Sequence, residues 1–358
     1  MHRRQLLAAA PAFALPACQP PRPRPAASTA ACLPPVRVSA DRVIRTIAGL
    51  RPFRPAGFRV ERETLGDKAL VHNYGHGGAG ITLSWGTSRL AVDLGLGGHQ
   101  GPVAVLGAGV MGLTTARLVQ EAGFPVTLYT AALPPDTTSN IAGGQIHAFG
   151  HFDRDAVTPA WREQSKRAEE YSWRRWQIMV GDDYGVHWVP TYVESRGSGP
   201  GPHMPAWERL DAKAWPFGTE QLIRYDTMYV EVGRMLRELT KDIQIAGGRI
   251  QVRSFATPAD VAALPERLVF NCTGLGAGAL FGDTGIYPVR GQLAILIPQP
   301  EIHYAYNGSA GYMFPRADGI LLGGTQERDV SDATPQPEDI ARILASHQKL
   351  FAGFRCTA

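Results

Sequence analysis

An α/β fold organised around a nucleotide-binding strand-helix-strand unit is what this sequence predicts, on three observations. Val103 to Leu106 is a short apolar strand that runs directly into Gly107-Ala-Gly109-Val-Met-Gly112. Leu113 to Ala122 then shows helical spacing, Gly123 stops it, and Pro125 to Tyr129 reads as a second strand. Ahead of this unit lies a second glycine-rich ribbon, Gly75-His-Gly-Gly-Ala-Gly80. In the first ribbon Gly107 permits a tight turn, Gly109 lets the backbone reach a pyrophosphate beside Val110 and Met111, and Gly112 permits close helix packing. In the second, bared amides and carbonyls let a flat ring approach, and Ile81-Thr82 opens a helix.

The remaining elements follow from periodicity. After a loop from Pro134 to Gly144, Pro159 to Met179 reads as a long helix whose Trp161, Tyr171, Trp173 and Trp176 are packing residues and whose arginines form a solvated face. Thr227 to Ile243 reads as a second amphipathic helix and Arg249 to Phe255 as a strand. Leu268 to Asn271 reads as a buried strand, and strands continue through Gly291 to Ile297 and Gly319 to Gly324. No internal repeat is present.

At 358 residues and 44% hydrophobic content the chain is long enough for one large two-part domain or two ordinary ones. The net charge of +4 is spread among acids rather than gathered in a run, which argues against nucleic acid as a partner. The four cysteines, at 18, 32, 272 and 356, lack metal-binding spacing, so no metal site is expected. Cys272 reads as a buried small hydrophobe, and a Cys32–Cys356 bridge stays open. Residues 1–17 read as a twin-arginine-type export signal, with Arg3 and Arg4 ahead of an apolar run from Leu6 to Ala17 that is too short to span a bilayer. Ala12-Phe-Ala14 offers a cleavage site and Leu15-Pro-Ala-Cys18 a lipidation box; the expectation is a periplasmic or membrane-anchored protein. Residues 18–36 read as a Pro-rich linker without a core of its own.

Eight separated segments carry a resemblance. They are Gly49-Leu-Arg-Pro-Phe-Arg-Pro55, Arg59-Val-Glu-Arg-Glu63, His72 to Trp85, the Gly107 fingerprint, Thr137-Thr-Ser-Asn-Ile-Ala-Gly-Gly144, Asn271-Cys-Thr-Gly274, Arg290-Gly-Gln292 and Gly311-Tyr-Met-Phe-Pro315. Together they resemble the D-amino-acid oxidase family of FAD-dependent flavoproteins, over most of the chain beyond Arg37. The His72 to Trp85 signature ordinarily follows the dinucleotide motif in that family; here it precedes it. Read cyclically from Val103, the segments fall in the usual order, so the chain looks circularly permuted, with Leu90 to Gly101 as the joint between the old ends. The resemblance implies a Rossmann-type FAD-binding domain from residues 52–146 and 228–283, plus a mixed-sheet substrate domain from 37–51, 147–227 and 284–358.

It also implies site residues. Arg51 would clamp the substrate carboxylate, a task that suits a planar fork, with Arg54 and Arg59 as nearby competitors. Tyr312 would share the carboxylate, and the Gly78 carbonyl would accept the amino group. FAD would be held by Gly107, Gly109, Val110, Met111, Gly112, Thr137, Thr138, Ser139, Gly143, Gly144, Val252 and Gly274. Gly77, Gly78, Ala79, Gly80, Ile81 and Thr82 would line its ring, their amides favouring negative charge there. Hydride transfer from the substrate Cα to flavin N5 then needs no side-chain base, so His72 and His76 are expected to shape the loop.

Two departures stand out. The acid that ordinarily takes the adenosine ribose is replaced by Ala131, leaving Thr130, Thr137, Thr138 or a water for that bond. A second pocket tyrosine falls on Gly308, with Tyr304 and Tyr306 as substitutes only if the register slips. The expectation is oxidation of a D-amino acid to a 2-oxo acid, ammonia and hydrogen peroxide, with molecular oxygen as second substrate. A glycine or secondary-amine oxidase, a quinone-linked dehydrogenase and a catalytically silent flavin-binding surface protein are the alternatives.

Overall fold

The computed structural model describes residues 33–354 except 196 and 198. The export signal, Cys18, both ends of the Cys32–Cys356 bridge and residues 18–32 of the linker lie outside the described residues.

Two sheets organise the chain. The first contains β2 (Arg59–Leu65), β3 (Lys68–Tyr74), β4 (Val103–Leu106), β5 (Val126–Thr130), β9 (Arg249–Val252) and β10 (Leu268–Asn271), in the order β2-β3-β10-β4-β5-β9. Only β2 is antiparallel to its neighbour. The second contains β1 (Val43–Phe53), β6 (Val186–Glu194), β7 (Glu208–Leu210), β8 (Leu222–Val230), β11 (Tyr287–Leu296), β12 (Ala305–Gly308), β13 (Gly311–Arg316) and β14 (Gly319–Gly323), in the order β1-β11-β14-β13-β12-β6-β8-β7. The short β15 (Glu327–Arg328) pairs with β11. This sheet is mixed, because β12 runs parallel to β6 while the other pairs are antiparallel.

Helices α1 (Gly80–Leu96), α2 (Val110–Glu121), α3 (Pro159–Ile178) and α4 (Val232–Ile245) pack with the first sheet into the largest apolar core. The short α5 (Pro258–Ala262) and α6 (Gly276–Phe281) flank β10, and α7 (Pro337–Ala352) covers the second sheet. Burial on both faces explains why β4 and β10 read as continuous apolar runs rather than alternating ones.

Several expectations change. Thr227–Val230 is strand, not helix: it pairs along β6, Thr227 donates to the Ile146 carbonyl at 2.7 Å, and α4 starts only at Val232. Arg249–Val252 ends as a strand three residues early. Helix α3, expected with the substrate half, lies against α1. Its Ser172 hydroxyl accepts from Gly86 N at 2.7 Å, and the Trp176 indole donates to the Thr82 carbonyl at 3.2 Å. Close approach of the two backbones selects glycine at 86, where a Cβ would sit 1.8 Å from Ala168 O. The described end of the linker is not free of a core, since Val36 is buried and Pro34 O accepts the Tyr304 hydroxyl at 2.8 Å. Leu90 to Leu96 belong to α1, so the connection to β4 shrinks to residues 97–102.

Candidate active site

A cavity of about 1070 Å³ runs from the C-terminal ends of β3, β4, β5 and β10 to the inner face of β1, β11 and β13. Its nucleotide end is made of main chain. Gly107 turns with φ 99°, and a Cβ on Gly112 would lie 1.8 Å from Gly107 O, so α2 can begin against the turn only with glycine there. Gly109, Val110 and Met111 open α2 onto the cavity, with Thr137, Thr138, Ser139, Gly143, Gly144 and Gly274 completing the walls. The Ser139 hydroxyl accepts from Val110 N at 2.9 Å, so this loop closes onto the helix terminus. Gly112 stands behind the wall as a packing residue.

At the ribose end Thr130 is already engaged. Its hydroxyl donates to Ala132 O at 2.6 Å and accepts from Ala108 N at 3.1 Å, while Thr137 donates to Asn140 Oδ1 at 2.9 Å. Asp136 is a wall carboxylate that the sequence reading overlooked. Val252 departs from its expected role: its side chain is 70% exposed, and Arg253, Ser254 and Phe255 form the wall instead.

The middle of the cavity is bordered by the second ribbon. Gly77–Ala79 forms a single 3-10 turn that leads into α1, so a helix N-terminus with its positive dipole end faces the cavity beside Gly77, Gly78, Gly80 and Ile81. Ala79 and Thr82 do not reach the wall; the Thr82 hydroxyl is used by the backbone of Gln145 and His147. His76 bonds Thr87 at 2.9 Å and stacks on Phe58. Burial lowers its imidazole to about 3, with His151 adding repulsion, and burial lowers His151 to about 4. Both rings are neutral at neutral pH. His72, also lowered by burial, spans Glu63 and Asn271 behind the wall.

The substrate end is made of side chains. Arg51, on β1, lies flat on Gly291, where a Cβ would come within 2.2 Å of Nη2 and 2.3 Å of Nη1. Its Nη1 donates to Thr325 O at 3.1 Å, and a Cβ placed on Gly78 would be 3.6 Å from its Cδ. Arg51 and Gly78 are therefore neighbours on the cavity wall, close enough to act on the same ligand. The Tyr312 ring packs on Gly323 and Gly324, and burial pushes its hydroxyl up while the nearby Arg51 guanidinium pulls it down. The competitors are committed elsewhere, Arg54 to Asp283 at 2.9 Å and Arg59 to Glu61 at 2.8 Å.

Neither tyrosine near Gly308 reaches this end. Tyr304 and Tyr306 point into the second core, Tyr306 bonding Glu194, and Asn307 takes the wall position. The mouth carries Phe149, 71% exposed, and Arg328, which pairs with Asp153 at 2.9 Å. Gly291, Gly323 and Asn307 were not foreseen as site residues; the one signal for the first was its place in Arg290-Gly-Gln292.

Comparison with known proteins agrees with this geometry. The family described as FAD dependent oxidoreductase (DAO) matches residues 22–94 and 102–357. A D-amino-acid oxidase of Streptomyces coelicolor is 33% identical over 260 residues, covering 69% of this chain and 76% of the relative. The D-aspartate oxidase of Homo sapiens is 29% identical over 262 residues, 68% of this chain and 74% of the relative. The crystal structure of a glycine oxidase from Geobacillus kaustophilus superposes with a TM-score of 0.54 at 15% identity, over 70% of this chain and 78% of that one, a likeness of fold. With its turn at Gly107, its paired helix N-termini and its elongated cavity fitting a flavin dinucleotide, the chain belongs to the DAO family of FAD-dependent oxidoreductases.

Proposed function

We propose that the protein oxidises D-amino acids to imino acids, which water converts to 2-oxo acids and ammonia. When bound, FAD supplies a two-electron acceptor that dioxygen reoxidises, giving hydrogen peroxide. The observation that carries the reading is Arg51, seated on Gly291 and neighbouring Gly78, with Tyr312 beside it. The guanidinium offers a carboxylate two parallel bonds, the Tyr312 hydroxyl donates a third, and the Gly78 carbonyl accepts from the amino group. Three points so fixed leave one face of Cα directed at the ring site. The relatives named D-amino-acid oxidase and D-aspartate oxidase support the same substrate class.

Among the described residues that line the cavity, none is set to act as a strong base toward the amine. The wall carboxylates are Asp136, beside Thr137 at the nucleotide end, and Asp153, held by Arg328; burial makes the wall imidazoles His76 and His147 weak bases, and His76 Nε2 is already bonded to Thr87. The amine therefore reacts as the free base, favoured over its cation by desolvation in the cavity. The dipole at the start of α1 would favour negative charge on a flavin ring seated there, making the bound group a better electron acceptor.

The test is anaerobic mixing of the yellow protein with D-alanine, D-aspartate, glycine and L-alanine in turn. Bleaching by a D-amino acid and not by L-alanine, with stoichiometric peroxide on admitting air, is expected. Bleaching by glycine alone, or none at all, overturns the reading.

A circularly permuted chain order belongs to the same proposal. In support, the family match breaks between residues 94 and 102, where α1 ends and β4 begins. Further support comes from α7, whose Gln348 side chain donates to Val38 O at 3.2 Å just ahead of β1, and whose Phe351 shares a core with Val36.

A further inference from the structure

The two residues that would hold the substrate carboxylate are themselves held from behind, Arg51 by its side chain and Tyr312 by its backbone, through groups that do not line the cavity. Thr325 O receives Arg51 Nη1 at 3.1 Å. The Thr325 hydroxyl in turn donates to Glu327 Oε1 at 2.5 Å and accepts from Gln292 N at 3.1 Å. Arg290 Nε donates to the other Glu327 oxygen at 2.9 Å, and its guanidinium beside the carboxylate is the main reason Glu327 is lowered to about 2. Gln292, fully buried in β11, donates to Glu327 Oε1 at 2.8 Å and to Asp339 Oδ2 at 2.6 Å, while its carbonyl accepts from Gln336 N at 2.6 Å. The chain of bonds therefore runs from Arg51 to the first turn of α7.

Tyr312 has a parallel anchor. His347, fully buried on α7, places Nε2 3.1 Å from Tyr312 O and Nδ1 2.8 Å from Ile343 O. In the tautomer protonated at Nε2 the ring donates to the Tyr312 carbonyl and so ties the backbone of the tyrosine to the helix that carries His347.

We propose that Glu327 and His347 are positioning residues for substrate binding, Glu327 aligning Arg51 through Thr325 and His347 aligning Tyr312 through its carbonyl, with α7 as the common frame. This rests on the reading of Arg51 and Tyr312 as the carboxylate clamp. A long arginine loses side-chain entropy when a ligand fixes it, and a fork already tethered in register loses less. Misalignment weakens binding of the carboxylate before it touches the oxidation step.

The experiment uses the flavin-loaded enzyme and propionate, which can occupy a guanidinium but offers no amine to oxidise. Its binding is followed by the change in the visible flavin spectrum. Glu327→Gln and His347→Leu are each expected to weaken propionate five- to twentyfold and raise KM for a D-amino acid to the same degree, with kcat within twofold and flavin content unchanged. His347→Gln, which keeps an amide donor, is expected to recover most of the loss. Arg51→Ala should abolish propionate binding. If it does while Glu327→Gln and His347→Leu bind propionate as the parent does, the positioning role is overturned and the clamp stands. If Arg51→Ala itself binds propionate normally, the clamp falls and the positioning role with it. Should His347→Leu not fold, the partly exposed Glu327 decides the matter alone.

Discussion

The two ends of the cavity are built by different means. At the nucleotide end the walls are main chain: the Gly107 turn, the terminus of α2 and the loop that Ser139 closes. At the substrate end, apart from the Gly78 carbonyl, the working groups are side chains, and each of those residues depends on partners far away in sequence. Arg51 reaches Thr325, 274 positions on, and the carbonyl of Tyr312 is held by His347, 35 positions on. Main-chain recognition tolerates side-chain change except where glycine is needed. Side-chain recognition is set by alignment and should fail in graded steps.

The largest effect is therefore expected at the nucleotide end, from Gly112→Val. Its Cβ would stand 1.8 Å from Gly107 O and force the turn away from α2. The expected product lacks flavin, as read by visible absorbance per mole of protein alongside thermal melting. A yellow variant with parental stoichiometry would show that the turn is not the pyrophosphate seat. Next comes Arg51→Ala, with kcat/KM for a D-amino acid down roughly a thousandfold, about 4 kcal/mol, and flavin retained. Loss of flavin together with activity would move Arg51 from the substrate to the cofactor.

A third effect separates the ring region from both ends. His76 and His151 are buried, with imidazoles held at about 3 and about 4 against an ordinary value of 6.5. As pH falls below 6.5 the unfolded chain takes up protons that the folded chain refuses, so stability is full above that value and is lost progressively down to about pH 4 for His151 and about pH 3 for His76. The loss is on the order of a few kcal/mol between the two rings. Denaturant unfolding at pH 7.5 and pH 5 measures it, and the gap should shrink in His151→Phe. An equal gap in that variant would assign the pH dependence elsewhere.

What the sequence discloses follows the same division. The Gly107 fingerprint, α2 and β5 are local, so spacing alone places them to within a few residues. Arg51, Tyr312 and Gly78 were reachable only through resemblance, because the pairing of β1 with β11 that sets Arg51 on Gly291 joins segments far apart in sequence. Local propensity misled at Thr227–Val230, where pairing with β6 overrides a helical pattern. At Val252 propensity rightly gave a strand, but the resemblance placed the residue at the cofactor, whereas β9 is an edge strand and Val252 is exposed. The tethers behind the clamp were not legible as such: Arg290 and Gln292 lie in a segment that carries the resemblance but had no role assigned, and His347 looks like an ordinary polar residue until β11 and α7 are brought together.

The smallest effect is the most discriminating for the substrate end. Tyr312→Phe removes one hydroxyl and keeps the ring that packs on Gly323 and Gly324, so the fold and the Arg51 seat should survive. If the hydroxyl donates to the substrate carboxylate, KM should rise about five- to tenfold, roughly 1 to 1.5 kcal/mol for a hydrogen bond to a charged group that Arg51 still holds. kcat should stay within about twofold, because the bond is equally present before and during oxidation. A fall in kcat with KM unchanged would instead place the hydroxyl against the reacting centre. That outcome would shift the carboxylate toward Arg51 and Asn307 and turn the Tyr312 ring from a clamp into a wall.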